Sequence, residues 1–272
     1  MTTNKKILYS PISFFGSKRK ELHHIEKYQP EKFNKIIDVF GGGANVSLYY
    51  HQKGYMTHYN DIAKYLTDLM TIIQCEEETN KLITKIDLLN IGYDDKKIIL
   101  TRDEFIKTSR VELYILLLRH SMRGMIYSGL LQKSKNKETG EYISETRGNY
   151  YKLKDYPPLF KTNKMKITNV NYLEVINNYK DDENAFIYCD PPYISTVCSF
   201  YGEHKFTLDD ILTLNKIIND ESYKCHIMIH IEFLGYTYDL FKKNIKYYYP
   251  KKYAINANKI LYSKYIMIVT NY

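Results

Sequence analysis

The chain has 272 residues and a formal net charge of +8 at pH 7. This length suits one catalytic domain with an inserted lobe, and the excess of basic residues favours a polyanionic partner. The four cysteines form no C-x-x-C pair, and no apolar run approaches the ~18 residues of a membrane span. We therefore expect a reduced cytoplasmic protein, or one in the host-cell cytoplasm if it is viral, with no metal and no membrane segment.

The amino-terminal part predicts an extended segment, a helix, a strand and a glycine loop. Tyr9 to Ser17 contains a proline and favours an extended chain, and Lys18 to Tyr28 has helical spacing. The apolar run from Lys35 to Phe40 predicts a strand that enters Gly41-Gly42-Gly43, and helical spacing resumes at Asn45. Glycines let the backbone approach a ligand closely. The loop matches neither the strict G-x-G-x-x-G pattern nor a P-loop, because no G-K-[ST] follows.

Asp61 follows the second predicted strand, Met56 to Asn60, and lies 20 residues after Gly41. In nucleotide-binding α/β folds, an acid at this spacing bonds a ribose hydroxyl. The alternative is a tight turn followed by an unrelated surface aspartate. The combination of glycine loop and acid favours a nucleotide-like ligand.

Residues from about 63 to 160 interrupt the alternation of strands and helices with a mainly helical pattern. The predicted features are helices over Ala63–Cys75, Asn80–Leu89 and Val111–Met122, a polar break at Glu76–Glu78, and a capping box formed by Thr101 and Glu104. The stretch from Lys133 to Lys154 is basic and rich in turn residues, and two runs around Gly140 could form a hairpin. The alternative for this stretch is a disordered charged loop.

The run from Asn184 to Cys189 predicts a buried strand, and Asp190-Pro191-Pro192-Tyr193 follows it. The prolines end the strand, so Asp190 lies at its carboxyl end, where open α/β sheets bind ligands. A carboxylate, a proline carbonyl and the flat ring of Tyr193 could together hold an aromatic amine. The alternative is an ordinary surface turn, since Asp-Pro and Pro-Pro are common in turns.

The carboxyl-terminal part predicts a return to the same sheet. The expected elements are strands over Lys164–Val170 and Lys224–Ile231, a helix over Leu208–Ile218, and a strand pair at Tyr253–Ile255 and Tyr265–Val269. His226 and His230 alternate within an apolar strand, and their spacing places them on one face of the sheet.

The glycine loop, the acid and Asp-Pro-Pro-Tyr, in this order, resemble the S-adenosylmethionine-dependent DNA adenine methyltransferases of the Dam family. The segment from Pro11 to Lys18 resembles that family's aromatic-x-Gly-x-Lys segment. The resemblance covers about residues 8 to 272 and is weakest in the middle. It implies an α/β, Rossmann-like methyltransferase sheet with an inserted, mainly helical DNA-recognition lobe containing a hairpin. The catalytic domain would comprise residues 1–62 and 161–272, and the target-recognition insertion residues 63–160.

The resemblance also implies roles for individual residues. Phe14 would pack on S-adenosylmethionine, Lys18 would meet its carboxylate end, and Asp38 would bond the loop backbone or the cofactor's amino group. The expected cofactor-binding residues are Phe14, Lys18, Asp38, Gly41, Gly43, Asp61 and Asp190, and the expected catalytic residues are Asp190, Pro191, Pro192 and Tyr193.

The implied function is site-specific methylation of the 6-amino group of a flipped adenine in double-stranded DNA, with a restriction endonuclease as a possible partner. The expected DNA-binding residues are Arg123, Tyr127, Lys133, Lys135, Lys137 and Arg147. Tyr127 stands where members that methylate GATC carry a guanine-reading arginine, so it departs from the family pattern. The alternatives are an RNA or cytosine 4-amino methyltransferase and an inactive DNA-binding relative.

Overall fold

The computed structural model describes residues 7–14, 16–89, 91, 94–121, 126, 149–194, 206–254 and 261–272. All six expected DNA-binding residues, from Arg123 to Arg147, lie outside these ranges. Within the described ranges, no helix has the length and apolar character needed to cross a membrane.

A seven-stranded sheet forms the centre of the described structure, with the strands in the order β3-β2-β1-β4-β5-β7-β6. The strands are β1 Lys35–Asp38, β2 Met56–Asn60, β3 Lys166–Thr168, β4 Ala185–Cys189, β5 His226–Glu232, β6 Ile245–Ala254 and β7 Leu261–Thr270. Neighbours from β3 to β5 pair in parallel, and β7 pairs antiparallel with both β5 and β6. The strand order reverses between β1 and β4, which is where a Rossmann-like sheet opens a crevice for ligands.

Helices cover both faces of this sheet, as a largely parallel sheet requires. They are α1 Leu22–Tyr28, α2 Asn45–Gln52, α3 Lys64–Ile72, α4 Glu76–Leu89, α5 Asp95–Thr108, α6 Val111–Arg119, α7 Tyr172–Asn178, α8 Leu208–Ile218 and α9 Gly235–Phe241, with 3-10 turns at Tyr150–Asp155 and Pro157–Phe160. The Rossmann-like architecture predicted from the sequence is therefore present in the described residues.

Side chains alternate along β4 between two buried cores. Ile187 and Cys189 pack with α7 and α8, whereas Phe186 and Tyr188 pack with α1 and α2. Because successive side chains of a strand point to opposite faces, Asp190 follows Tyr188 onto the α1 side. The register of this strand therefore decides which amino-terminal residues Asp190 can meet.

The helices between residues 63 and 160 share one core with the sheet. Every residue of α6 from Val111 to Leu118 is buried, and this helix packs with α3, α4 and α5. The same core includes Tyr59 of β2 and Leu48 of α2. The packing shows no break at residue 63, so the domain boundary there stays a prediction.

The polar break predicted at Glu76–Glu78 is wrong, because these residues form the first turn of α4. Carboxylates are favoured at this position, where the amide groups of the first turn leave a partial positive charge. The spacing of hydrophobic residues does not indicate this first turn, because the turn is stabilised by electrostatics and not by burial.

The capping box predicted at Thr101 is also wrong. α5 begins earlier, at Asp95, and its N-cap is Asp94, whose carboxylate accepts N–H bonds from Lys96 and Lys97. Thr101 lies buried in the middle of the helix, where its hydroxyl donates to the carbonyl of Lys97 at 2.7 Å.

Other boundaries also differ from the predictions. α1 begins at Leu22 and not at Lys18, and residues 19–21 form a turn that directs Lys18 inwards. Tyr150 to Lys154, predicted as the end of the basic hairpin stretch, lies in a 3-10 turn held to α4 by bonds from the hydroxyls of Tyr150 and Tyr151 to Asp87. The rest of that stretch, up to residue 148, lies outside the described residues.

Candidate active site

The glycine loop turns the chain between the end of β1 and the start of α2. The amide of Gly41 donates to the carbonyl of Asn60 at 2.7 Å, and the amide of Ala44 donates to the carbonyl of Gly41 at 2.8 Å. A Cβ atom at Gly41 would lie 2.1 Å from the ring of Tyr59, which no real contact allows. Glycine is therefore required at position 41 by the aromatic side chain beneath it.

The amino-terminal segment lies over this loop. A Cβ atom would lie 2.8 Å from the ring of Phe14 if placed on Gly42, and 2.9 Å from the Cβ of Phe14 if placed on Gly43. The φ angle of Gly42 is +48°, which disfavours other residues independently of space. Phe14 therefore packs directly on two glycines of the loop, and its expected contact with the cofactor stays a prediction.

Asn45, the first residue of α2, ties the amino-terminal segment in place. Its side-chain oxygen accepts the amide of Ser10 at 3.1 Å, and its nitrogen donates to the hydroxyl of Ser17 at 2.9 Å. The side chain of Gln52, at the other end of α2, both accepts from and donates to the backbone of Leu8. Sequence reasoning missed both residues, because their partners are distant along the chain.

Asp61 is buried and anchors the glycine loop. One carboxylate oxygen accepts the amide of Gly42 and the other accepts the amide of Ala63, both at 2.8 Å. Burial raises the pKa of Asp61 to about 6, and the two backbone bonds limit the rise. The role expected from the sequence, a bond to a ribose hydroxyl, would have to use the remaining acceptor capacity of these oxygens.

Asp38, at the end of β1, bonds α2 and not the glycine loop. Its carboxylate accepts the hydroxyl of Ser47 at 2.7 Å. Burial raises the pKa of Asp38 to about 7, against the Ser47 bond, and the negative charges of Asp190 and Asp61 add to the rise. Asp38 therefore lies close enough to both other carboxylates to be affected by their charge, at the point where the strand order reverses.

Asn60 joins the ends of three strands and was not singled out from the sequence. Its nitrogen donates to the carbonyls of Val39 and Val170, each at 3.1 Å, and its oxygen accepts from the hydroxyl of Thr168 and the amide of Val170. A fully satisfied buried amide of this kind is rigid. It fixes the spacing between the ends of β1, β2 and β3.

Asp190 forms a buried ion pair with Lys18. Lys18 Nζ bonds Asp190 Oδ2, and the two side chains are 6% and 16% exposed. Burial alone would lower the pKa of Lys18, but the Asp190 carboxylate outweighs it, so the pKa of Lys18 lies above its usual value. The other oxygen of Asp190, Oδ1, is buried and has no hydrogen-bond partner among the described residues.

The remaining residues of the Asp-Pro-Pro-Tyr motif surround this ion pair. Pro191 is buried, Pro192 is half-buried, and the half-buried ring of Tyr193 lies 5.4 Å from Lys18 Nζ. Tyr193 also packs against the core formed with α1 and α2. The structure thus brings together Phe14, Lys18, the glycine loop and Asp-Pro-Pro-Tyr.

A second buried ion pair, Lys251 with Glu21, lies beside the first and was not found from the sequence. Lys251 Nζ is 3.0 Å from Glu21 Oε1, and the side chains are 13% and 8% exposed. Glu21 follows a short basic stretch and Lys251 comes shortly after a run of tyrosines, so no local motif indicates that the two residues pair. Among the described residues, no group of three or more histidine, cysteine and acidic side chains is arranged to hold a metal.

A family model and two curated relatives match this chain. The family model described as D12 class N6 adenine-specific DNA methyltransferase matches residues 14–261. The modification methylase StsI of Streptococcus sanguinis is 23% identical over 234 residues, which are 82% of this chain and 34% of that protein. The type II methyltransferase M.FokI of Planomicrobium okeanokoites is 23% identical over 198 residues, which are 70% of this chain and 30% of that protein. The chain spans about a third of the length of these curated relatives.

Proposed function

The chain belongs to the D12 class of N6 adenine-specific DNA methyltransferases, and we propose that it transfers a methyl group from S-adenosylmethionine to the 6-amino group of an adenine in duplex DNA. One observation carries the proposal. Asp190 lies at the carboxyl end of β4, beside the switch point, with one oxygen held by Lys18 and the other buried without a partner among the described residues. That second oxygen is available to accept an N–H of the substrate.

Asp190 and Pro191 would act on the amine through hydrogen bonds. The lone pair of the adenine 6-amino group is delocalised into the ring, so the amine is a poor nucleophile. N–H bonds to Asp190 Oδ1 and to the Pro191 carbonyl localise the pair and stabilise the positive charge that develops on nitrogen. The Asp190 carboxylate suits this task best in its charged form, which the Lys18 ammonium favours.

The cofactor would lie at the switch point, held by the residues around the glycine loop. S-adenosylmethionine supplies an electrophilic methyl group on a positively charged sulfur. The site offers a glycine loop covered by the ring of Phe14, together with the carboxylates of Asp38, Asp61 and Asp190. Acidic side chains suit ribose hydroxyls, an amino group and a sulfonium, so the residues present fit this cofactor.

Duplex DNA hides the 6-amino group, so the base would have to leave the helix. Tyr193 presents an aromatic ring beside Asp190 on which a flipped base could stack. We further propose that residues 123–154 supply the contacts that choose the site, with basic side chains on phosphates and Tyr127 near a base. The word modification in the name of one relative fits a protective enzyme with a restriction endonuclease partner, acting in a bacterial or infected host cytoplasm.

A methyl-transfer assay tests the proposed reaction. The protein is incubated with S-adenosylmethionine carrying a tritiated methyl group and with duplex DNA, single-stranded RNA or a protein mixture. We expect label in the duplex DNA, recovered after digestion as N6-methyladenine, and at least about 100-fold slower labelling with Asp190→Asn. Label recovered as N4-methylcytosine, or label in RNA alone, would replace the proposed substrate by one of the alternatives.

Single-base mapping of methylation on random duplex DNA tests the recognition segment. A phenol cannot make the two bonds with which arginine reads guanine, and such a pair is worth about 1–3 kcal/mol of discrimination. We therefore expect the preference for guanine at the first base of the site to be roughly 5- to 150-fold weaker than in an enzyme strictly specific for GATC. A strict GATC pattern would show that Tyr127 is not the reading residue.

A further inference from the structure

α1 and β6 pack in a regular series of side-chain pairs that leads to the active site. The ring of Tyr28 stacks on Tyr247 at 5.1 Å, and His24 stacks on Tyr249 at 4.2 Å. The next pair in the series is Glu21 with Lys251 at 3.0 Å. Steps of three and four residues along the helical segment match steps of two along the strand, because both advance by about 5–7 Å.

The last pair of this series faces the Lys18–Asp190 pair. Glu21 lies three residues after Lys18, so the same turn of chain carries one partner of each ion pair. Burial raises the pKa of Asp190, the positive charges of Lys18 and Lys251 oppose this, and the negative charge of Glu21 adds to it. The four side chains thus form a buried quartet of two cations and two anions with no net charge, which we call the charge quartet.

We propose that Glu21 and Lys251 are positioning residues for Asp190: Lys251 favours the charged form of its carboxylate, and Glu21 holds Lys251 and Lys18 in place around it. Burying a single ion pair costs desolvation that its own attraction repays only partly. A second, oppositely oriented pair adds attraction to both partners of the first. It also holds Lys18 on Asp190 Oδ2, which leaves Oδ1 for the substrate amine. The expected effect on catalysis rests on the proposed methyl transfer. The expected effect on the titration of Asp190 does not.

Other titratable groups face Asp190 from the strands around it. They are Asp38 of β1, Tyr188 of β4 and Tyr249 of β6, with the ring of Tyr193 nearby, while Cys189 lies on the other face of β4 and His230 of β5 bonds the hydroxyl of Tyr188. Burial raises the pKa of Tyr188 and Cys189 far above their usual values and lowers that of His230 well below its usual value, so these three stay neutral. Asp38 can still carry a charge, because its pKa is about 7. Glu21 and Lys251 are the members of the charge quartet whose charges can be changed without altering Asp190 or the Lys18 that bonds it.

Opposite charge changes should move the titration of Asp190 in opposite directions. Lys251→Met removes a positive charge and should raise the pKa of Asp190, whereas Glu21→Gln removes a negative charge and should lower it. The measurement is a pH titration of the 13C-labelled aspartate carboxyl groups by NMR, with Asp190→Asn identifying the signal. Lys251→Arg keeps the charge and should titrate like the unchanged protein.

Catalysis supplies the second readout. The acid limb of the single-turnover rate should move to higher pH in Lys251→Met, giving a roughly 3- to 10-fold loss on that limb and little loss on the alkaline plateau. It should move to lower pH in Glu21→Gln. A matched control is Lys264→Met, since Lys264 pairs with Glu232 at 2.8 Å and lies opposite Lys251 in the β6–β7 register. That control should lower stability without moving either profile.

The outcomes separate the charge quartet from the proposed function. If the pKa of Asp190 does not change, or changes in the same direction in Lys251→Met and Glu21→Gln, the proposed role of the charge quartet is wrong. If a single variant fails to fold, Glu21→Gln/Lys251→Met should return the titration towards that of the unchanged protein, and a large residual shift would contradict the proposal. Absence of methyl transfer in the unchanged protein would refute the proposed function, while the NMR titration would still decide the electrostatic claim.

Discussion

Three buried or half-buried aspartates lie at the carboxyl ends of the neighbouring strands β2, β1 and β4. They are held in two different ways. Asp38 and Asp61 accept bonds only from neutral donors in the described structure, a serine hydroxyl and two backbone amides. Asp190 is held by an ammonium group, with a second ammonium and a glutamate nearby. Both oxygens of Asp61 and Oδ2 of Asp38 accept bonds from the protein, whereas Asp190 Oδ1 is buried with no hydrogen-bond partner among the described residues.

This difference separates carboxylates that shape the site from the one that can act on a substrate. Neutral donors satisfy hydrogen bonds but offset burial only in part, so the pKa of Asp38 reaches about 7 and that of Asp61 about 6. Burial also raises the pKa of Asp190, but here two ammonium groups oppose the rise and favour the charged carboxylate. The β1–β2 side is therefore suited to fixing the loop, and the β4 side to presenting a charge.

The largest expected effect is at Asp190. Asp190→Asn keeps an acceptor for Lys18 but removes the charge that stabilises the developing cation, so the single-turnover rate should fall by about 100- to 1000-fold. DNA affinity should stay within a few-fold, as measured by fluorescence anisotropy. A rate close to that of the unchanged protein would show that the charge of Asp190 is not needed for catalysis. Asp190 would then not differ in role from Asp38 and Asp61.

The next effect concerns Asp61. Asp61→Ala should weaken S-adenosylmethionine binding by about 10- to 150-fold, because a bond to a charged group is worth roughly 1.5–3 kcal/mol. Calorimetry with the cofactor and with its 2′-deoxy analogue distinguishes two causes. A bond to the ribose predicts a smaller loss for the analogue, whereas equal losses would mean that Asp61 acts only through Gly42. Asp68→Ala, which removes an exposed partner of Lys64, is the matched control.

A third test probes the loop that Asp61 holds. Gly41→Ala places a Cβ atom against the ring of Tyr59, so the free energy of unfolding should fall by about 1–3 kcal/mol or more, and cofactor affinity should fall with it. Gly54→Ala is the control, since its φ of +92° costs backbone strain but no atom lies within 4 Å. Chemical denaturation and cofactor titration of both variants check this. Equal losses of cofactor affinity would show that the Tyr59 contact does not shape the loop.

The smallest effect is a dependence of stability on pH. The folded pKa of Asp38, about 7, lies above that of an unfolded aspartate, so its contribution is complete below about pH 4 and is lost as the pH rises to 7. The free energy of unfolding should therefore fall over that window, by up to about 1.4 kcal/mol for each pH unit. Asp38→Asn still accepts the Ser47 bond but cannot titrate, and should flatten the fall.

Ser47→Ala sharpens the same test. The Ser47 bond lowers the pKa of Asp38 against burial, so its removal should carry the loss of stability to higher pH. Urea denaturation at fixed intervals between pH 5 and 8 measures all three proteins. Identical pH slopes in the unchanged protein and in Asp38→Asn would show that Asp38 is not held protonated by burial.

The sequence by itself determined the elements whose signals are local. The strand from Met56 to Asn60 and the helix from Leu208 to Ile218 have the bounds predicted for them, and the strand, glycine loop and helix from Lys35 onwards follow in the predicted order. Side-chain alternation, glycine runs and proline pairs constrain the backbone within a few residues. The same locality placed Asp190 at the end of a strand.

Tertiary structure alone decided the partners of the charged groups. Lys18 and Asp190 are 172 positions apart, and the β6–β7 pair is longer than its apolar pattern predicted because polar residues extend both strands. Likewise the local sequence predicted a helix start at Thr101, but Asp94 caps the helix earlier and Thr101 lies in its interior. Which ammonium neutralises which carboxylate depends on the register of strands and the packing of α1 on β6. Those contacts form between distant segments, so no local pattern of residues encodes them.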